Sequence, residues 1–289
     1  MSVPEYRPLW HWVREREAIR MAKEAGHPQP WTDDPILATY RFCNVRREDD
    51  LGTIWIRKNI RERFADHPLL WLMLCIARQI NWPDTLAELM SYEGSWPNSN
   101  GFNPTYITRI LNARKSRGEK VYTGAYMISA PATKGANKQA YIAETVIGAL
   151  WRRREEFDRL IWPNNTLQSV HSRITASNGW GAFMAYQAVV DMRFTSLLAS
   201  ARDIETWGAA GPGTIRGLNR VHGRPVNAPL SQHQALSEMR TIFKLVGPET
   251  GVSIDFSDVP NILCETDKYL RVKNGEGKPR ALYVPGRGS

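Results

Sequence analysis

Three stretches of the sequence bring together residue types that can do chemistry. The first, Arg41-Phe42-Cys43-Asn44-Val45-Arg46-Arg47-Glu48-Asp49-Asp50, mixes guanidinium groups with carboxylates. Arginines hold phosphate oxygens through paired N–H donors, and a carboxylate placed among them can take up a proton. If the stretch is helical, Arg41 and Asp49 lie about two turns apart and share a face. From residue types alone, a solvated, salt-bridged face is the commoner outcome of such a run. The second stretch, Gly181 to Asp191, is mostly apolar but carries Tyr186, Gln187 and Asp191. Gln187 and Asp191 are four apart, one above the other on a helix. Polar groups on an apolar helix are costly unless satisfied, so the pair is either buried hydrogen-bonding structure or the lining of a pocket. In the third, Leu263-Cys264-Glu265-Thr266-Asp267-Lys268-Tyr269, Cys264 and Lys268 are one turn apart with Asp267 beside them. A nucleophilic cysteine needs a base, and no histidine is close in sequence. A buried cysteine beside a salt-bridged face is the better reading. Lys273, Lys278 and Arg280 follow and suit phosphate contacts.

A fourth feature is a turn, Gly211-Pro212-Gly213-Thr214, preceded by Gly208. It resembles a helix-hairpin-helix over about residues 204–221. In that motif glycines let the backbone approach a DNA phosphate, and amides at the start of the second helix bind the anion. Arg216 and Arg220 fall on that second helix, one turn apart, where they reach the same phosphate backbone. The competing reading is an ordinary helix-terminating turn followed by solvated arginines. Glycosylases built on this hairpin carry a catalytic lysine in or just after it, or an aspartate further on. Here Ile215 stands at the lysine position and His233 near the aspartate position, which disfavours lyase chemistry while leaving the scaffold open.

These groups need elements to hold them. Helices are expected over 7–25 (with Gly26 as its stop), 53–65, 67–80, 84–92, 104–116, 138–159, 166–175, 179–193, 196–204, 213–221, 231–245 and 257–272. Thr32 or Asp33 is the expected cap of a helix with Pro35 in its first turn. Residues 95–104 read as a loop, and 122–128 as a short strand or buried turn. The fold is therefore expected to be mainly α with minor or no strands. It would form one helical domain over 1–289, with sub-lobes 1–160 and 161–289. An apolar content of 42% excludes disorder as the default. The net charge of +9 suits a polyanionic partner, and equally a soluble protein with a basic surface. Three scattered cysteines, with no C-x-x-C pair and no zinc-ligand spacing, suit a reducing cytosol. The run Leu69–Ala77 is too short to span a bilayer and the N-terminal residues lack an apolar signal core. No Walker loop, dinucleotide fingerprint or H-E-x-x-H is present, so nothing supports ATP hydrolysis or zinc chemistry.

With these segments in hand, the chain resembles the phage family of alpha-glutamyl/putrescinyl thymine pyrophosphorylases. That family includes amino acid:DNA transferases and a helical domain linked to 5-hydroxymethyluracil DNA kinases. The resemblance rests on Pro30-Trp31-Thr32-Asp33-Asp34-Pro35-Ile36-Leu37, on the Arg41–Asp50 stretch, on Ala185-Tyr186-Gln187 with Asp191, on the Gly-Pro-Gly hairpin, and on Leu263–Tyr269. These blocks run in order over nearly the whole chain. The resemblance implies a helix-hairpin-helix DNA glycosylase-like scaffold in the cytoplasm of a phage-infected bacterium. It implies double-stranded DNA carrying a modified thymine as partner, with a separate kinase that has pyrophosphorylated its 5-hydroxymethyluracil. A free amine, an amino acid such as glycine or a polyamine, would then displace the pyrophosphate. The base must leave the stack, the leaving group needs positive charge, and the attacking amine must lose a proton. The expected catalytic set is Asp191, Gln187, Asp49 and Asp267, with Glu48 a further base candidate. Asn44 and Tyr186 are expected in the substrate pocket, and Arg41, Arg46, Arg47 and Lys268 at the pyrophosphate, with Mg2+ as its expected companion. Gly211, Gly213, Thr214, Arg216 and Arg220 are expected on DNA. A monofunctional glycosylase and a non-catalytic DNA-binding subunit are the alternatives.

Overall fold

The computed structural model describes residues 4–98, 101–123, 137–279 and 281–283. It is mainly helical, and among the described residues strand-like pairing is limited to two isolated bridges, Tyr40 with Leu282 and Asn98 with Gly101. Of the stretch expected as a strand or buried turn, residues 124–128 lie outside the described residues, as does Arg280. The chain divides into two compact units. One comprises residues 1–53 and 205–289, the other 54–204. The boundary expected near residue 160 falls inside the second unit. None of the described helices is long and apolar enough to cross a membrane.

In the first unit, α1 (Arg7–Glu24) buries Leu9, Trp12, Val13, Arg16 and Ile19. That three-and-four spacing forms one stripe, and a charged residue sits on it. Gly26 closes the helix in the left-handed conformation, and the His27 amide returns to the Ala22 carbonyl at 3.0 Å. Asp34, rather than Thr32 or Asp33, caps α2 (Pro35–Thr39) by accepting from the Ile36 and Leu37 amides. The unit is completed by α12 (Pro212–Val221), α13 (Gln232–Thr250) and α14 (Val259–Lys273). Its core joins Leu9, Trp12, Phe42, Leu218, Met239, Phe256 and Leu263, residues from both ends of the chain.

Between them the chain runs through α3 (Leu51–Ile56), which a π-helical turn, Arg57–Arg61, continues, then α4 (Leu70–Ile80), α5 (Pro83–Ser91) and α6 (Pro104–Ser116). All of α4 is buried, as its continuous apolar run demands. The helix expected over 138–159 is instead α7 (Lys138–Ala140), a π-helical segment Tyr141–Ile147, α8 (Gly148–Arg152) and α9 (Arg154–Asp158). At the break, Arg153 turns to donate to the Ser177 hydroxyl (2.6 Å) and the Arg173 carbonyl (3.1 Å). Such tertiary partners are invisible to a local window. Next come α10 (Leu167–Thr175) and α11 (Ala182–Arg193). Trp71 stacks on Phe157 in this unit, centroids 4.2 Å apart.

The helix expected over 196–204 is not formed; successive turns replace it. Thr195 donates to the Met192 carbonyl at 2.8 Å and Asp203 accepts from the Leu167 and Gln168 amides. Both side chains offer the backbone alternatives to a helix.

Candidate functional site

Helix α14 gathers segments that are more than 200 residues away in sequence. Glu265 accepts from the Cys43 amide at 3.0 Å and pairs with Lys268 at 2.5 Å. Asn261 donates to the Asn44 carbonyl at 3.0 Å. Asp258, just ahead of the helix, accepts from the Arg47 amide at 2.9 Å. The Tyr269 hydroxyl donates to Asp34 at 2.6 Å, and His11 lies 3.2 Å from the same carboxylate oxygen. Lys268 lies over the Phe42 ring, 4.6 Å from its centroid. Burial alone would discharge this lysine, but the Glu265 charge and the hydrogen bond between them raise its pKa above the ordinary value. Three of the sequence blocks, Pro30–Leu37, Arg41–Asp50 and Leu263–Tyr269, thus meet in the first unit.

Within that cluster the Arg41–Asp50 stretch is not a helix. It has no regular structure before a bend at Val45–Arg46 and makes a single 3-10 turn over Arg47–Asp49, so Arg41 and Asp49 share no helical face. Asn44 is buried and fully used. Its side-chain N–H2 donates to the Asp49 carbonyl (2.7 Å), its Oδ1 accepts from Arg16 (2.5 Å), and its amide donates to Asp50 Oδ1 (2.9 Å). Arg46 pairs with Asp49 at 2.8 Å and with Glu17 at 3.4 Å, and Asp49 also meets Arg20 at 3.4 Å. Arg47 is buried, with its Nε lacking a partner. Glu48 flanks it in the same turn. Arg41 is exposed, its amide bonded to the Ala281 carbonyl at 3.1 Å.

The remaining expected residues lie elsewhere. Tyr186, Gln187 and Asp191 are on α11 in the second unit. Asp191 is 0% exposed and both its oxygens accept from Arg78, at 2.5 and 2.8 Å. Gln187 is buried with its Oε1 unpartnered. The glycine turn leads into α12, but no helix precedes it. Gly211 is the N-cap, and the Thr214 hydroxyl donates to the Pro260 carbonyl at 3.1 Å. Arg216 and Arg220 both donate to Asp267, each at 2.8 Å, and Arg220 also pairs with Glu276. Asp267 is thereby buried under two arginines rather than open to a substrate. A Cβ on Gly213 would strike the Cys264 sulfur, and one on Gly217 the Leu263 carbonyl. Here the glycines serve the close approach of α12 to α14.

Asp50 and Arg16 were not singled out from sequence. Asp50 accepts from the Asn44 amide through Oδ1 and makes no other side-chain hydrogen bond among the described residues. Burial pushes its pKa up to about 6, against the pull of that bond and of Arg47 and Arg16. Arg16 donates to the Cys43 carbonyl (3.0 Å) and to Asn44, while its Nη1 has no partner. It also lines an open cleft with Lys23, Trp31, Tyr40, Phe42 and Tyr283. Tyr283 is brought there by the bridge between its neighbour Leu282 and Tyr40, and by its own amide, which donates to the Thr39 carbonyl at 2.9 Å. A charge in the apolar register of α1 was the available signal for Arg16. Asp50 gave none that separated it from Glu48 and Asp49. Among the described residues, no group of three or more His, Cys, Asp or Glu side chains is arranged to hold a metal ion.

Comparison with known proteins gives the family. The chain belongs to the family described as "5-hmdU DNA kinase, helical domain", which matches residues 4–279. A 5-hmdU DNA kinase of Bacillus phage SP10 is 26% identical over 217 residues, covering 68% of this chain. The match covers 32% of that relative, so the chain spans about a third of its length. No solved structure matches.

Proposed function

We propose that this protein is a phage DNA-modifying transferase. Its substrate is thymine-derived 5-hydroxymethyluracil in double-stranded DNA that a partner kinase has pyrophosphorylated, in the cytoplasm of an infected bacterium. An amine nitrogen, from an amino acid such as glycine or from a polyamine, attacks the exocyclic methylene carbon. The C–N bond forms, the C–O bond breaks, and pyrophosphate leaves with the electron pair. The proton shed by the amine passes to a carboxylate.

The observation that carries this reading is the meeting of three family blocks around α14, with Asp50 open at one oxygen among Arg16, Asn44 and Glu265. A carboxylate with a raised pKa, next to cations yet bonded through one oxygen only, suits proton uptake during the displacement. The assignment of the base therefore moves to Asp50. Asp191 is occupied on both oxygens by Arg78, and Asp267 by Arg216 and Arg220. Of the expected pyrophosphate ligands, Arg46 and Lys268 are neutralised by acids, whereas Arg41 has no acidic partner among the described residues. A magnesium ion carried by the pyrophosphate itself remains part of the proposal.

The test is mass spectrometry of nucleosides from 5-hydroxymethyluracil DNA treated with kinase and ATP, then with this protein and a pool of amines. An amine adduct that depends on the kinase step, and is lost in Asp50→Asn, is the expected result. A second reading draws on the length of the SP10 relative. The chain would be a non-catalytic helical module that delivers DNA to a kinase. It requires bound but chemically unchanged DNA. Release of free base would instead point to a glycosylase.

A further inference from the structure

Several cations of the first unit are matched by an acid. Arg20 and Arg46 meet Glu17 and Asp49, Arg224 meets Glu238, and Lys268 meets Glu265. The cleft lined by Arg16 and Lys23 breaks this pattern. Among the described residues, no acidic side chain lines it. Arg16 is 5% exposed, its bonded partners are neutral oxygens, and its Nη1 is unpartnered. Lys23 sits over two rings, Trp31 and Tyr283, 5.3 Å from each centroid. Its pKa is lowered by burial and then by the charges of Arg16 and Arg41. Like charges held together without an acid cost stability, and an anion entering the cleft relieves that cost. The same potential repels a cationic amine, despite the aromatic walls that would otherwise suit one.

We propose that this cleft is a diphosphate-binding subsite. Arg16 and Lys23 hold the anion, the charge of Arg41 adds to theirs, and Trp31 and Tyr283, in edge contact with centroids 6.0 Å apart, form one wall beside the planar ring that carries it. The cations and rings define the ligand class as a diphosphate on a flat, uncharged ring. Only the identification of that ring as the modified pyrimidine rests on the transferase reading. Arg16 links the cleft to the reacting groups, since it also feels the carboxylates of Asp50 and Glu265.

Calorimetric titration of the full chain with inorganic pyrophosphate tests the subsite. Lys23→Ala is expected to weaken binding about tenfold or more, the scale of one charge-assisted contact. Lys23→Gln, which keeps the stem over the rings, should lose as much, and Lys115→Ala, an exposed lysine of the second unit, should lose nothing. Trp31→Ala should weaken thymidine 5′-diphosphate more than inorganic pyrophosphate. Equal pyrophosphate affinity in wild type and Lys23→Ala, or no binding by wild type at millimolar concentration, overturns the subsite. An equal effect of Trp31→Ala on both ligands overturns the ring contact. If amine adducts form while Lys23→Ala binds pyrophosphate normally, the cleft assignment fails and the transferase reading stands. If pyrophosphate binds as expected and no amine is transferred, the converse holds.

Discussion

Each unit buries an arginine, and the two are treated in opposite ways. In the second unit Arg78 is held by both oxygens of Asp191, with neither side chain more than 3% exposed. In the first unit Arg16 is as deeply enclosed but is given only a carbonyl and an amide oxygen, and one nitrogen has nothing. A buried ion pair is closed chemistry: its charges are spent on each other, and it holds α4 against α11. A buried cation with no acid bonded to it, only carboxylates acting at a distance, keeps part of its desolvation cost until something negative arrives. The difference separates a polar group that builds the fold from one that is available to a ligand. It applies equally to the acids, with Asp191 saturated and Asp50 half used.

The strongest way to test this contrast is to remove one member of the closed pair. Asp191→Ala strands Arg78 in the core and should cost about 3–5 kcal/mol in urea denaturation. Next in size is a steric break in the first unit. Gly217→Ala drives a methyl group into the Leu263 carbonyl, where backbone must move, and should cost about 1–3 kcal/mol by the same measurement. Arg16→Met breaks no ion pair, and its effect on stability should stay under about 1.5 kcal/mol, the scale of a net hydrogen bond. A cost matching that of Asp191→Ala would make Arg16 a structural residue and remove the contrast.

The smallest expected effect is in pH dependence. The folded pKa of Asp50, about 6, lies above the ordinary aspartate value. Below about pH 4 both folded and unfolded chains carry its proton. As the pH rises to about 6 the unfolded chain loses the proton first, so stability falls through that window. Asp258, pushed up to about 7 chiefly by burial, extends the same trend. Asp50→Asn should flatten the fall between about pH 4 and 6 in denaturation midpoints followed against pH. An unchanged slope would mean that Asp50 is not held in the protonated form.

Much of the secondary structure was legible. Pro104–Ser116 has the bounds expected of it, and the α4 run is as buried as it reads. The errors share a cause. The turns over 196–204 and the broken helix after Lys138 arise where side chains bond to distant backbone or to neighbouring elements. The glycine turn shows the same limit. Its residues fit a phosphate-binding hairpin and a tight helix contact equally well, because both need a missing Cβ. Only the position of Leu263 and Cys264 decides between them.

Composition, charge and the ordered blocks by themselves determined a mainly helical chain, its family resemblance and the segments that carry polar chemistry, because these depend on local spacing and residue type. Which polar groups are spent and which are free was decided by the tertiary structure alone. Asp191 and Asp267 resemble Asp50 in sequence, yet only packing gives the first two their arginines. An ion pair forms through space, over a few ångströms, between residues whose separation along the chain carries no trace of it.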